Sequence, residues 1–365
     1  MNSKPKKLLF FVAEDWYFVS HRLKLAEKAI AAGFDVSIAS RESEHGDQIR
    51  AAGINLIPLE MHRSSLNPLS NLILFWQIFQ VLRSERPDVL HNVAQKPVVL
   101  GTLAARLARV PRIVNALGGL GIVFSSDRLR NRLLRRVFAL VYRMVLSARN
   151  VTLILQNREN LEWFIGVVGL SETNTTLIRG AGVDVGEFQS GQNSVTRTIP
   201  VVTLVARLLH AKGIVEFIKA AHILNARGSE AAFLLVGDSD KLNPEALSHE
   251  ELHRLLRESK VQWLGRRSDI KQIWQDSDIS VLPTYYPEGV PLSLLESAAM
   301  GKPIVTTDVP GCNDLVIDGV NGFLVPPKDP EALANAIEKL VLNPELREQF
   351  GRASRERAVK EFSSE

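Results

Sequence analysis

The stretch Tyr285–Thr306, YYPEGVPLSLLESAAMGKPIVT, carries two carboxylates, Glu288 and Glu296, eight residues apart. It reads as a loop, a helix, a turn and a buried strand. Pro291 suits the first helical position, where its missing N–H would have no intrahelical partner. Leu292, Leu295, Glu296 and Ala299 follow at helical spacing, and Gly301-Lys302-Pro303 ends the helix. The free N–H groups and positive dipole end of such a helix form an anion site. Leu292 and Glu296 are four apart, so the Glu296 side chain shares the face that carries the helix start. A carboxylate there can accept both hydroxyls of a ribose, as in a dinucleotide-binding fold. Glu288, nearer the phosphate end, could accept hydrogen bonds from sugar hydroxyls. On spacing alone, the pattern fits better a surface helix whose two glutamates only favour its N-terminus.

Upstream, PVVTLVARLLHAKG (Pro200–Gly213) reads as a buried strand and a turn carrying Arg207 and Lys212, with a helix from Ile214. Downstream, VPGCNDLVIDGVNGFLVPPKDPEALANAI runs from Val309 to Ile337. In order and spacing these stretches resemble the donor half of the family 4 retaining glycosyltransferases of the GT-B fold. Arg207 and Lys212 match that family's R-x4-K pair, and Glu288 and Glu296 its E-x7-E pair. The resemblance implies that Arg207, Lys212 and Glu288 are catalytic. The two cations would neutralise charge growing on a departing diphosphate in place of a metal ion, and Glu288 would hold the sugar hydroxyls. Glu296 would bind the ribose, with Gly289, Val290, Leu292 and Arg266 along the rest of the donor. No matched carboxylate is an obvious nucleophile, which agrees with front-face transfer assisted by the donor's own phosphate. Neither a cofactor nor a metal is expected. Asp238-Ser239-Asp240 and Asp276-Ser277-Asp278 mimic a D-x-D metal motif, but they read as a loop and a helix end, and no cluster has metal-ligand spacing.

The elements that must position these residues fall in two sets. KLLFFVA (7–13) is a first buried strand, followed by a helix His21–Ala32 capped by Ser20 and stopped by Gly33. FDVSIAS, INLIPLE, DVLHNV, RIVNAL and VTLILQ are further strands, with helices at about 68–84, at Val98–Ala108 and in the arginine-rich Ser125–Asn150. From Pro200 the pattern restarts with VVTLVA, AAFLLVG, VQWLG, DISVLP and PIVTT. Such alternation predicts an α/β chain with two doubly wound, Rossmann-like parallel sheets. In the GT-B fold these face each other across a cleft. The expected division is 1–188 for an acceptor domain and 196–345 for the donor domain, joined by the polar 189–198. Residues 346–365 would be a C-terminal helix and a short crossover.

At 365 residues, 45% hydrophobic and 23% charged, the chain has the size and balance of a two-domain globular protein. The single cysteine, Cys312, excludes an intrachain disulfide and fits a reducing cytoplasm. LLFFVA is too short for a signal peptide, and no stretch is long enough to span a bilayer. The net charge of +4 is uneven: residues 1–195 hold 24 Lys/Arg against 16 Asp/Glu, and the remainder 20 against 24. A basic half suits a nucleic acid, a polyanion or an anionic membrane. Ser125–Asn150 contains seven arginines among Leu, Val, Phe and Tyr. It fits a helix packed on a sheet with wet arginines, or one resting on anionic headgroups through Arg128, Arg132, Arg135 and Arg136.

The first half also offers His21, His91 and Lys96 at or after strand ends, where α/β folds place ligands. His21 could bind a phosphate or be a capped surface residue. Gly119 and Gly121, within Gly118-Gly119-Leu120-Gly121, could line a sugar site or simply make a tight turn. Two positions depart from the family pattern. Ala13-Glu14-Asp15-Trp16 stands where glycines usually approach the donor phosphate, and Gly118 stands where many members have a histidine.

HRSSLNPL (62–69) and AQKPVVLGTLAARLARVPRIVNALGGLG (94–121) resemble a bacterial subgroup that adds sugars to undecaprenyl-diphosphate-linked acceptors. The N-acetylgalactosaminyltransferases of bacterial protein N-glycosylation belong to it. This narrower resemblance implies a UDP-N-acetylhexosamine donor, a polyprenyl-diphosphate-linked saccharide acceptor, and a peripheral place on the inner face of the cell membrane rather than on nucleic acid. The alternatives are a GT-B transferase with another nucleotide sugar or a soluble acceptor, a nucleotide-sugar epimerase, and an inactive binding protein.

Overall fold

The computed structural model describes residues 4–61, 67–118, 129–189, 198–240, 243, 245–257 and 259–364, with only the helical backbone for 129–133. The chain divides into two compact units, Met1–Ile178 and Arg179–Glu365.

Unit 1 opens with β1 (Lys7–Glu14), α1 (Asp15–His21), α2 (Leu23–Ala31), β2 (Asp35–Arg41), α3 (Gly46–Ala51) and β3 (Asn55–Pro58). It continues with α4 (Pro68–Glu85), β4 (Val89–Val93), α5 (Gln95–Ala108) and β5 (Arg112–Leu117). It closes with α6 (Leu129–Leu146), β6 (Val151–Leu155), α7 (Arg158–Trp163) and β7 (Thr175–Leu177). The strands form one parallel sheet in the order β3-β2-β1-β4-β5-β6-β7. β1 is apolar almost throughout because both its faces are covered. Leu9, Phe11 and Ala13 meet α4, α5 and α6, while Phe10 and Val12 meet Phe18, Ala26 and Ile49 of α1, α2 and α3. The strand order reverses between β1 and β4, which opens a crevice at their C-terminal ends.

Unit 2 contains β8 (Val201–Val205), α8 (Ile214–Ala226), β9 (Ala232–Val236), α9 (His249–Leu256), β10 (Val261–Trp263), α10 (Ile270–Gln275) and β11 (Ile279–Leu282). Then come α11 (Leu292–Ala299), β12 (Ile304–Thr307), α12 (Cys312–Leu315), β13 (Gly322–Val325), α13 (Pro330–Leu342) and α14 (Pro344–Glu361). Its parallel sheet has the order β10-β9-β8-β11-β12-β13. Phe217, Leu224 and Ile337 build the core on one face, and Leu295, Ala298, Cys312 and Phe362 on the other.

Several elements differ from the sequence reading. The helix expected over His21–Ala32 starts at Leu23, and a separate short helix, Asp15–His21, precedes it. Ser20 is therefore no cap; its hydroxyl donates to the Trp16 carbonyl at 2.9 Å. α5 begins at Gln95 rather than Val98, with Pro97 in its first turn, where a missing N–H is tolerated. β7 and β13, edge strands of three and four residues, are additional to the strands expected from the sequence.

Residues 179–188, placed by sequence with the first half, pack in unit 2. Val183 and Phe362 share a 2.9 Å backbone bond, and the Arg355 guanidinium donates to the carbonyls of Val185, Phe188 and Ala299. α14 likewise packs on α11 within unit 2, so residues 346–361 are not a separate body. Of the expected linker, 190–197 lie outside the described residues.

Candidate active site

The turn after β8 carries Arg207 and Lys212, and the loop after β11 carries Glu288. β8 and β11 are neighbours in the sheet, so both segments leave its C-terminal edge side by side. Lys212 Nζ donates to Glu288 Oε1 at 2.5 Å, with side chains only 13% and 22% exposed. Arg207 Nη1 donates to Asp240 Oδ2 at 2.9 Å. Asp240 lies in the loop after β9, the other neighbour of β8. Two cations and two carboxylates from three loops are thus gathered at one edge.

Backbone contacts hold these loops in register. The Tyr285 N–H and the Thr284 hydroxyl both donate to the Ala211 carbonyl, at 3.0 and 2.9 Å. Gly213, at φ +73°, lies so close to the Pro283 carbonyl that a Cβ would come within 2.2 Å of it. Gly311, at φ +90°, lies under the Glu288 loop, where a Cβ would sit 2.5 Å from the Glu288 carbonyl oxygen and 2.6 Å from that of Gly289. Both positions need glycine for conformation and for space. From β12, the Thr306 hydroxyl donates to the Leu282 carbonyl at 2.6 Å and that of Thr307 to the Thr284 carbonyl.

α11 starts at Leu292, one residue later than expected. Pro291, at φ −62° and ψ 130°, is the extended residue before the helix, and its carbonyl accepts from the Leu294 and Leu295 N–H groups. Leu292 and Glu296 are half-buried on one side of α11, while Leu294, Leu295 and Ala298 face the core. Trp274 Nε1–H donates to Glu296 Oε2 at 3.4 Å. Val290 belongs to the core, and Arg266 is exposed in the loop after β10.

The first D-x-D stretch is engaged within the protein: Asp238 pairs with His249 at 2.6 Å, and Asp240 holds Arg207. In the second, Asp278 accepts from the Val201 N–H at 2.8 Å, and Ser277 is buried against Thr203. Among the described residues no group of three His, Cys, Asp or Glu side chains could share a metal ion. Burial pushes the Cys312 thiol up to about 12, so it is not a nucleophile. Asp240, which the sequence offered only as part of a D-x-D mimic, joins the site through its ion pair with Arg207, a partnership that the strand order β9-β8 creates.

In unit 1 the acidic first loop is satisfied internally. Glu14 pairs with Arg41 at 2.8 Å. Asp15 accepts from the Ser43 N–H and hydroxyl, each at 2.5 Å, and from the His45 N–H at 3.2 Å. Burial alone would raise the Asp15 pKa, but these hydrogen bonds outweigh it and hold the carboxyl below its ordinary value. His21 ends α1 rather than starting a helix, and stacks on Tyr17 at 4.2 Å. His91 is not at a strand end: it lies mid-β4, buried and stacked on Phe10, and burial beside Arg22 pulls it down to about 3. Lys96, in the first turn of α5, has its pKa lowered by burial. Gly119, Gly121 and Arg128 lie outside the described residues, as does the Arg132 side chain. Arg135 is half-buried and Arg136 exposed on α6.

Residues 187–357 match the family model "Glycosyl transferases group 1", and residues 7–157 match "Glycosyl transferase 4-like". The chain is 31% identical over 324 residues to the N,N'-diacetylbacillosaminyl-diphospho-undecaprenol alpha-1,3-N-acetylgalactosaminyltransferase of Campylobacter jejuni, covering 86% of this chain and 83% of that one. The chain belongs to the group 1 glycosyltransferases. Another relative is the UDP-Gal:alpha-D-GlcNAc-diphosphoundecaprenol alpha-1,3-galactosyltransferase of Escherichia coli, 28% identical over 84% of this chain and 80% of that one. Among solved structures, a glycosyltransferase from Rickettsia africae superposes with TM-score 0.77 at 19% identity, over 99% of this chain and 95% of that one. Anabaena HepE, solved with UDP and glucose, gives 0.77 at 21% identity, over 98% and 96%. With two Rossmann-like parallel-sheet units, this glycosyltransferase has the GT-B fold.

Proposed function

We propose that this glycosyltransferase is a retaining family 4 enzyme that transfers an N-acetylhexosamine from a UDP-sugar to a polyprenyl-diphosphate-linked saccharide. The observation that carries the reading is the Lys212–Glu288 pair beside Arg207, gathered at the sheet edge where α11 begins. The acceptor class rests on the two relatives, whose names both specify undecaprenyl-diphosphate-linked sugars. The UDP donor is supported by HepE, which was solved with UDP and glucose.

In this reading the uracil nucleotide lies along unit 2, with its ribose hydroxyls on Glu296. The diphosphate faces the N-terminus of α11, with Gly289, Val290 and Leu292 supplying backbone beside it. As the bond from the sugar C1 to the diphosphate oxygen breaks, Arg207 and Lys212 hold the growing negative charge. Preorganised charges of this kind contribute about 3 kcal/mol each where water is excluded. The acceptor hydroxyl attacks C1 on the same face and passes its proton to the departing phosphate oxygen, so UDP leaves and the configuration is retained. Glu288 holds Lys212 in place and accepts from the donor's sugar hydroxyls. No metal is required because the cations and the helix dipole already supply positive charge. The acceptor's lipid places the enzyme on the inner face of the cell membrane as a peripheral protein. No described helix is long and apolar enough to cross a bilayer.

The test is a panel of UDP- and GDP-sugars offered with a polyprenyl-diphosphate-linked saccharide in detergent. Transfer from a UDP-N-acetylhexosamine, with the anomeric configuration retained, is the expected result. No transfer from any UDP-sugar would overturn the reading.

A further inference from the structure

α4, α5 and α6 form one helical layer on unit 1: α5 packs on both neighbours, and Arg106 Nη1 of α5 donates to the Met144 carbonyl of α6 at 2.8 Å. The layer's inner side is an ordinary core of Leu74, Ile78, Leu82, Val98, Tyr142 and Val145. Its outer side is not ordinary. On α4, Leu69, Leu72, Ile73 and Trp76 recur at i, i+3, i+4 and i+7, a single stripe turned away from the core. They are 52% (Trp76) to 70% (Leu69) exposed. A helix apolar on both sides is buried on both sides or faces something other than water.

Charge says what that something is. The three helices carry eight Lys/Arg and a single acidic residue, Glu85, which pairs with Lys7. On α6 the outer stripe alternates Arg136 and Arg143 with Val137, Leu140 and Met144, all exposed. Apolar side chains including a tryptophan, set among cations with almost no acidic neighbours, match the headgroup boundary of an anionic bilayer. A second copy of the same layer would instead bring like charges together. Topology adds a direction. α4 links parallel strands and runs against them, so its apolar N-terminal half lies toward the sheet's C-terminal edge, where β1 passes into α1 and β4 into α5.

We propose that the outer face of α4 and α6 docks on an anionic lipid surface, with Leu69, Leu72, Ile73 and Trp76 entering the headgroup boundary and Arg136 and Arg143 facing the lipid charge. This deepens the proposed function by locating its membrane contact, and it assigns to α4 a part that the arginines alone do not indicate. The apolar stripe penetrates while the arginines draw the protein in, so binding has a salt-sensitive and a salt-resistant component.

The experiment uses the full chain and vesicles of phosphatidylglycerol and phosphatidylcholine without acceptor, so its result is independent of sugar transfer. Sedimentation should show binding that rises with phosphatidylglycerol content, and brominated lipid should quench fluorescence that Trp76→Phe removes. Leu72→Glu with Ile73→Glu should lower the partition coefficient at least ~10-fold at all salt concentrations. Arg136→Glu with Arg143→Glu should lower it by a similar factor at low salt only. Melting temperatures within about 2 °C of the parent would show that these exposed changes leave unit 1 folded. Absence of binding to anionic vesicles, or equal binding by the Leu72/Ile73 variant, would overturn the proposal. So would a dimer in light scattering that this variant splits, because a second copy would then cover the face. Failure of the donor panel in detergent would refute the transfer reaction and leave the docking result standing.

Discussion

At the scale of single residues, the sheet edge after β8 and β11 couples each cation to a carboxylate. Arg207→Ala, Lys212→Ala and Glu288→Gln should each lower kcat/KM by at least ~100-fold with unchanged circular dichroism, since each removes charge complementarity at the reacting centre. Near-parent rates in two of the three would refute the assignment. Glu296→Ala should act on binding instead, raising the dissociation constant for UDP in calorimetry with a smaller change in kcat. His91 gives a pH signature. Its folded pKa, about 3, lies below the ordinary 6.5, so from pH 6.5 downward the unfolded chain binds a proton that the folded chain refuses. Stability contributed by neutral His91 is therefore complete above pH 6.5 and is lost at roughly 1.4 kcal/mol per pH unit on acidification toward pH 3. Thermal melts between pH 7 and 4 should show that slope, and His91→Gln should flatten it.

At the scale of elements, the site depends on loops held against one another by backbone. Gly311 and Gly319 both have positive φ, but only Gly311 lies against the Glu288 and Gly289 carbonyls; a Cβ added at Gly319 would have no atom within 4 Å. Alanine at either position incurs a conformational cost of about 1 kcal/mol. At Gly311 the added methyl must also displace the Glu288 loop, and a displacement near 1 Å at a reacting centre costs on the order of 100-fold in rate. Gly311→Ala should thus lower kcat by at least ~10-fold, while Gly319→Ala should keep it, and the loss in melting temperature should be larger at Gly311, where the methyl also meets backbone. Equal kcat values for the two would show that the Glu288 loop is not seated on Gly311.

At the scale of the whole chain, the proposed reaction draws its positive charge from the protein. Turnover should stay within about twofold in excess EDTA, because in the proposed reaction Arg207, Lys212 and the α11 dipole supply the charge that a metal would. Loss of activity restored by magnesium or manganese would show that Asp238 and Asp240 leave His249 and Arg207 to bind an ion. The asymmetry between a basic first half and an acidic second half follows the division of labour: unit 2 holds the proposed nucleotide site, and unit 1 presents the cationic helix layer.

The alternation of apolar runs with helical segments determined two parallel α/β sheets before any coordinates. Buried parallel strands are hydrophobic on both faces, and that is a local property of the chain. The resemblance to the family's R-x4-K and E-x7-E pairs marked Arg207, Lys212, Glu288 and Glu296, and it was legible because each pair lies within one loop or one loop and its helix. The Arg207–Asp240 and Lys212–Glu288 pairs were decided only by tertiary structure. They join segments 33 and 76 residues apart, and the adjacency of β8 to β9 and β11 is a fact of strand order. The break between α1 and α2, at Arg22 with φ −133°, was also seen only in the folded chain. The exposure of Leu69, Leu72, Ile73 and Trp76 could not be read from α4's sequence. A helix apolar on both sides does not specify which side the sheet will take, and only the packed unit shows which side it leaves to the surroundings.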